Sequence, residues 1–176
     1  DFTSPSAFSV EWNLHPAVGK NISPGRTVRD IMAASFNAWA TAPNATLEVS
    51  EGTESALTTL PSVDSGVNLI CFVCENEHLK GEGVLAVTFT SAADAVGSPD
   101  GHGGTTRFVG QIIGSSILFD PSEPYTTTGP GTDQVSDLET VAVHEIGHFL
   151  GLDHSGVVRA VMFPASPDSQ RILSYD

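Results

Sequence analysis

The sequence predicts one domain of α+β or α/β class, built on a single twisted sheet. Three observations carry that expectation. Hydrophobic residues alternate with period two near the N-terminus, switch to spacings of three and four from Thr27, and return to helical spacing near Ser136 after a mostly β middle. The 176 residues suit one domain. A chain of that size can hide roughly 70% of its unfolded surface, so its core needs no metal or cross-link to form.

Phe8, Val10, Trp12 and Leu14 alternate with polar residues, which gives a strand with one buried face. Ser23-Pro24-Gly25 punctuates. Val28, Ile31, Met32, Ser35, Phe36 and Trp39 form the stripe of an amphipathic helix. Thr27 and Asp30 resemble a capping box with Asp in place of Glu, and Pro43 and Asn44 stop the helix. Leu47 and Val49 mark a short strand. The apolar run Val67 to Val73 predicts a strand covered on both faces. Val84 to Thr90 is a further strand, Gly97 to Gly104 a loop, and Phe108 to Phe119 a strand in which Gly110 and Gly114 mark bulges or close approaches. Pro121 to Thr132 is an irregular loop. Ser136 to Leu150 is the clearest helix, with Ser136 and Glu139 as its capping box and Gly151 as its end. Ser155 to Asp176 carries turn signals and no long periodic segment.

Lys and Arg number 7 against 21 Asp and Glu, a net charge of -14. That balance excludes the basic face of a nucleic-acid binder and adhesion to an anionic membrane. It suits solubility, divalent cations or cationic partners. No apolar run approaches the ~20 residues of a membrane span. The opening at Asp1 rather than Met fits removal of a leader or propeptide, and a Ser-, Thr- and Gly-rich chain with two lysines fits an exported protein. Cys71 and Cys74 are too few for a disulfide framework or a four-cysteine metal site. On an ideal strand they would stand about 10 Å apart, beyond the reach of a disulfide. If the strand ends or bulges near Cys74 a local disulfide forms; otherwise both are buried thiols. Nothing nearby would lower a thiol pKa, which argues against a redox centre. His15, His78 and His102 stand alone and read as surface or capping histidines.

The chemistry lies in His144-Glu145-Ile146-Gly147-His148-Phe149-Leu150-Gly151-Leu152-Asp153-His154. Two histidines four apart on a helix share one face, so both imidazoles can reach one ion. A glycine at a helix C-terminus takes the left-handed conformation and turns the chain, which swings His154 back toward the pair. Three neutral histidines leave a fourth zinc position for water, the mark of a catalytic site. Glu145 sits about 100° round the helix, facing that water rather than the metal, where a carboxylate can take a proton and pass it to a leaving group.

This run, followed by Ala160-Val161-Met162-Phe163-Pro164, resembles the metzincin metallopeptidases, whose signature ends in a Met-turn. Ser155 directly after the third histidine, and Met162 eight residues beyond it, resemble the matrixin, or matrix-metalloproteinase-like, branch; an astacin would carry Glu at 155 and Tyr at 164. The resemblance implies an α/β-type zincin fold: a mostly parallel, twisted five-stranded sheet with an antiparallel edge strand, a backing helix, the zinc-binding helix and a small irregular C-terminal lobe. It implies one catalytic domain over residues 1–176, with an upper lobe of about 1–151, a lower lobe of about 152–176, and a final helix opening at Leu173-Ser174-Tyr175-Asp176 where the chain stops. It implies a catalytic Zn2+ on His144, His148 and His154, Glu145 as general base, and Met162 as an apolar floor beneath the metal. Leu85 and Ala86 match the edge strand that pairs with an extended peptide, Thr140 the base of the S1′ pocket, and Pro164-Ala165-Ser166 its outer wall. The family's vertebrate members hold a second, structural zinc; the matching positions here are Val87 and Leu118, which cannot ligate it. Asp120 and Glu123 match an acidic pair that helps hold Ca2+, with Asp100-Gly101 as a further oxygen-rich turn; two solvated loop carboxylates are the other reading.

The expectation is thus a secreted, monomeric zinc endopeptidase acting on protein or peptide substrates, with neither nucleic acid nor membrane insertion. Its rivals are a zinc hydrolase of non-peptide acyl or amide bonds, which would have no use for a peptide-pairing edge, and an inactive zinc-site binding module, which would have no use for Glu145.

Overall fold

The computed structural model describes residues 8–81, 83–94, 109–132, 134–158 and 160–164. Five strands, β1 (Phe8–Leu14), β2 (Leu47–Glu51), β3 (Leu69–Cys71), β4 (Ala86–Ala92) and β5 (Ile112–Phe119), form one sheet in the order β2-β1-β3-β5-β4. All neighbours are parallel except β4, which runs antiparallel to β5 along one edge. Two helices, α1 (Val28–Ala40) and α2 (Leu138–Phe149), pack on one face. A small ribbon of β6 (Tyr125–Thr126) and β7 (Ser136–Asp137) leads into α2. The mixed, mostly parallel sheet with two helices is the α/β arrangement expected of a matrixin.

The core follows from the two periods. Trp12, Leu14, Ile70 and Ile117 point from the sheet to Ile31, Met32 and Phe36 of α1 and to Ala142, Ile146 and Phe149 of α2. Trp12 stacks on Phe36 at 5.4 Å between ring centroids, and Phe36 meets Phe149 edge-on at 5.3 Å. The alternate residues Leu69, Cys71 and Leu118 fill a second apolar cluster with Leu79, Val87 and Phe89 on the opposite face. The middle strands are therefore covered on both sides, which is why they read as continuous apolar runs.

Several boundaries differ from expectation, each for a local reason. β3 spans three residues rather than seven, because the chain bends at Phe72 and Val73. That bend brings the Cα atoms of Cys71 and Cys74 to 5.7 Å, and the two form a disulfide. β5 begins at Ile112, since Val109 and Gly110 (φ 83°) form a turn before it. The bulge falls at Ile113, between the pairs Ser91↔Gly114 and Ala92↔Ile112. β1 does not bury one clean face: Phe8 is 69% exposed at the open end of the sheet, whereas Asn13 is buried, donating to the Thr53 carbonyl and accepting from the Asn68 N–H.

Thr27 caps α1 as expected, accepting from Asp30 N–H and donating to its carboxylate. Ser136 does not cap α2. Its N–H is committed to the Pro124 carbonyl within the ribbon, so Asp137 takes the cap and accepts from the N–H of Thr140. Glu139 pairs instead with Arg26 of the segment before α1, at 2.6 Å. His15 is not a surface histidine: it is buried, and its Nδ1 accepts the Ala17 N–H, capping a turn. His78 is exposed and meets Phe89 edge-on. The expected loop at Gly97 to Gly104 with Asp100, Gly101 and His102, and the final helix from Leu173, lie outside the described residues. Among the described residues no helix is long and apolar enough to cross a membrane.

Candidate metal centre and cleft

α2 places His144 and His148 one turn apart on the face that looks away from the core. The helix then ends in a Schellman turn: Leu152 N–H donates to the Gly147 carbonyl and Gly151 N–H to that of His148, with Gly151 at φ 93°. The reversal carries His154 back to the pair. His148 Nε2 lies 3.2 Å from His144 Nε2 and 3.1 Å from His154 Nε2. Three ligands at the corners of a tetrahedron about 2.0–2.1 Å from zinc stand about 3.3 Å apart, so these spacings fit a shared ion.

Protonation supports the same fit. His144 Nδ1 lies 2.7 Å from the Val161 carbonyl, and His148 Nδ1 lies 2.8 Å from that of Leu152. A carbonyl can only accept, so each Nδ1 carries a proton, and in the neutral ring that ligates a metal each Nε2 is then the bare lone pair. Bare lone pairs at 3.2 Å repel one another unless a cation sits among them. Burial pushes the His144 pKa down, and the two neighbouring histidines add to that fall, which favours the neutral, ligating form; the bond to Val161 opposes it. Among the described residues these three form the one group of three or more His, Cys, Asp or Glu side chains close enough to hold a metal.

Glu145 is buried beside the triad, and Thr88 of β4 donates to its Oε2 at 2.5 Å. Burial is the main influence on its carboxyl and raises the pKa; the Thr88 bond and the histidines oppose that rise. Met162 is buried against α2 at Gly147 and packs with Val143, Val161 and Trp39.

The triad opens into a cleft of about 670 Å³ running between β4 and α2. Leu85 and Ala86 line it with Thr88, and Thr140, Phe163 and Pro164 line its other wall. The Leu85 carbonyl is turned inward, accepting from Asp120 N–H and from the Tyr125 hydroxyl. By strand alternation the backbone groups of Ala86 and Thr88 then face the open edge. Burial drives the Tyr125 pKa far up, so the phenol stays a donor. Thr140 is buried and small, and its hydroxyl is turned to Asp137 at 2.6 Å, away from the cleft. Ala165 and Ser166 lie outside the described residues.

Val87 and Leu118 face each other as register partners inside an apolar cluster. Asp120 and Glu123 differ in burial, the first buried and the second half-buried. Asp120 is buried, its Oδ1 accepting from both the N–H and the hydroxyl of Ser122, while the backbone carbonyls of Asp120 and Glu123 accept from the Asn21 amide. Sequence reasoning missed Thr88, which sits in a β-branched run without distinction, and missed the Val161 and Leu152 carbonyls, because a backbone acceptor has no residue-type signal.

Residues 71–175 match the family model described as Matrixin. Matrix metalloproteinase-16 of Homo sapiens is 42% identical over 94 residues, 51% of this chain and 15% of that protein. Metalloendoproteinase 1 of Glycine max is 41% identical over 76 residues, 41% of this chain and 25% of that protein. Metalloendoproteinase 5-MMP of Arabidopsis thaliana is 65% identical over 37 residues, 21% of this chain and 10% of that protein. The chain thus spans a quarter or less of the length of these relatives. With the family model covering more than half of its residues, the chain belongs to the matrixin family.

Proposed function

We propose that this chain is the catalytic domain of a secreted, zinc-dependent endopeptidase with one zinc per chain, held by His144, His148 and His154. The observation that carries the reading is the convergence of three Nε2 atoms with a buried carboxylate beside them. Bound zinc would polarise a scissile carbonyl and acidify water. Glu145 would take the proton of the attacking water and hand it to the leaving amine. An extended peptide would pair with the open edge at Ala86 and Thr88, as β-augmentation requires, with Leu85, whose carbonyl is committed inward, lining the cleft beside it; that edge supports a peptide over a non-peptide substrate. The small Thr140 and the apolar Pro164 would admit a medium or large apolar residue on the C-terminal side of the cut bond. Met162 would be the floor of a Met-turn, and residues from about 152 a lower lobe.

Casein zymography with and without a chelator tests the activity. Glu145→Ala should keep its zinc by elemental analysis and lose turnover by about 10²–10⁴, the usual share of a general base. Turnover within about threefold of the parent would overturn that role, and cleavage of small acyl esters but not of casein would overturn the substrate class. A peptide library should show its strongest selection at P1′, for an apolar residue.

A further inference from the structure

We propose that Thr88 is a positioning residue for Glu145: its hydroxyl holds one carboxylate oxygen and leaves the other to accept the proton. The inference rests on the reading of Glu145 as general base.

Three hydroxyls tie the sheet to α2. The Thr90 hydroxyl lies 3.1 Å from the His148 carbonyl and the Ser115 hydroxyl 3.0 Å from that of Phe149; the two hydroxyls are 2.8 Å apart, so one of them gives its proton to the other. Those two engage only the backbone of the helix at these points. Thr88 alone of the three reaches a side chain of α2, with its Oγ1 2.5 Å from Glu145 Oε2. A hydroxyl has one proton, so the 3.2 Å approach to the Glu145 carbonyl is the lesser contact. Glu145 is buried, where few donors are at hand and a fixed one decides the carboxylate rotamer. With Oε2 engaged, Oε1 is the oxygen left for proton transfer. Thr88 also presents its backbone to the open edge of β4. One residue therefore joins the edge where a peptide would lie to the group that would act on its bond.

The test compares zinc-loaded Thr88→Val and Thr88→Ser, each in the parent and in a Glu145→Ala background. Val keeps the shape and suits a strand, so the fold should survive. A hydrogen bond to a charged group corresponds to about ten- to a hundredfold in rate, and kcat of Thr88→Val should fall by that amount. KM should stay within about twofold, since the strand backbone is unchanged. Thr88→Ser should recover kcat to within about threefold. In the Glu145→Ala background Thr88→Val should move residual turnover by less than about twofold. Metal-free unfolding in urea gives a readout independent of turnover, in which the 88/145 double-mutant cycle should show coupling. Parent-like kcat in Thr88→Val, the same proportional loss without Glu145, or lost zinc in a chelator competition would each overturn the proposal. If Glu145→Ala itself kept full turnover, the general-base reading would fail and the proposal with it, while coupling in the metal-free cycle would still establish the hydrogen bond.

Discussion

Replacing Gly147 by Ala puts a methyl group where the molecule has little room. A Cβ at that position would lie 2.2 Å from Met162 Sδ, 2.9 Å from Met162 Cε and 3.0 Å from Trp39 Cζ2. Two effects oppose each other. Ala is favoured over Gly inside a helix by about 0.8–1.0 kcal/mol. An extra methyl in a packed interior costs about 1–3 kcal/mol. A surface methionine would swing aside, but Met162 is 6% exposed and enclosed by Val143, Val161 and Trp39. Trp39 is itself tethered, its Nε1 donating to the Val143 carbonyl at 2.9 Å. Overpacking should therefore win by about 1 kcal/mol, and Tm of the metal-free protein should fall by about 2–4 °C. Zinc affinity should fall as well, because Met162 is joined to Val161, whose carbonyl orients His144. Thermal unfolding by circular dichroism and a chelator competition read the two effects. Met162→Ala should cost less in the Gly147→Ala background than alone. A higher Tm in Gly147→Ala, with zinc affinity unchanged, would refute the reasoning, since Met162 would then yield freely.

Three further outcomes are expected. Replacing Cys71 and Cys74 together by Ala opens a loop of about four residues, which the loop-entropy relation values at about 2 kcal/mol, or about 4–8 °C in Tm; equal melting with and without the bridge would show that the bend holds itself. Asp137→Ala should destabilise more than Thr27→Ala, which should cost about 1 kcal/mol in urea unfolding, because the buried Asp137 also accepts the Thr140 hydroxyl; equal losses would contradict this. Metal-free Glu145→Gln should be more stable than the parent at pH 7 and lose that advantage in acid. Burial raises the folded-state pKa above 4.5, so the parent's deficit is complete above the folded pKa, shrinks below it and vanishes below about 4.5. A gain that persisted at pH 4 would mean a packing effect instead.

The two helices and the triad were legible because each is a matter of residue type at fixed spacing, whereas the edge position of β4 came only from the resemblance to the metzincins. Val28 to Trp39 and the run His144 to His154 are read by period alone, and Gly151 by its need for a positive φ. Ser136 misled because a capping signature takes no account of the ribbon that already claims its backbone. The length of β3 was illegible for a related reason: Phe72 and Val73 have strand-like side chains, but the Cys71–Cys74 bridge needs a bend. For His15 the sequence left surface and capping roles open, and its burial was illegible because burial is decided by what the fold lays over it. Glu145 could be placed beside the triad from the helix alone, whereas its bond to Thr88 joins residues 57 positions apart and depends on how α2 crosses the sheet.

The carbonyl that sets the ring of His144 belongs to Val161, 17 residues later in the chain. A ribosome releases His144 first and the acceptor that aims it afterwards. Until that later segment emerges, the His144 ring lacks its carbonyl partner, whereas His148 finds its own in Leu152, only four residues on. Order of synthesis thus separates parts from alignment: the growing chain carries the first histidine of the triad before it carries the group that orients its ring.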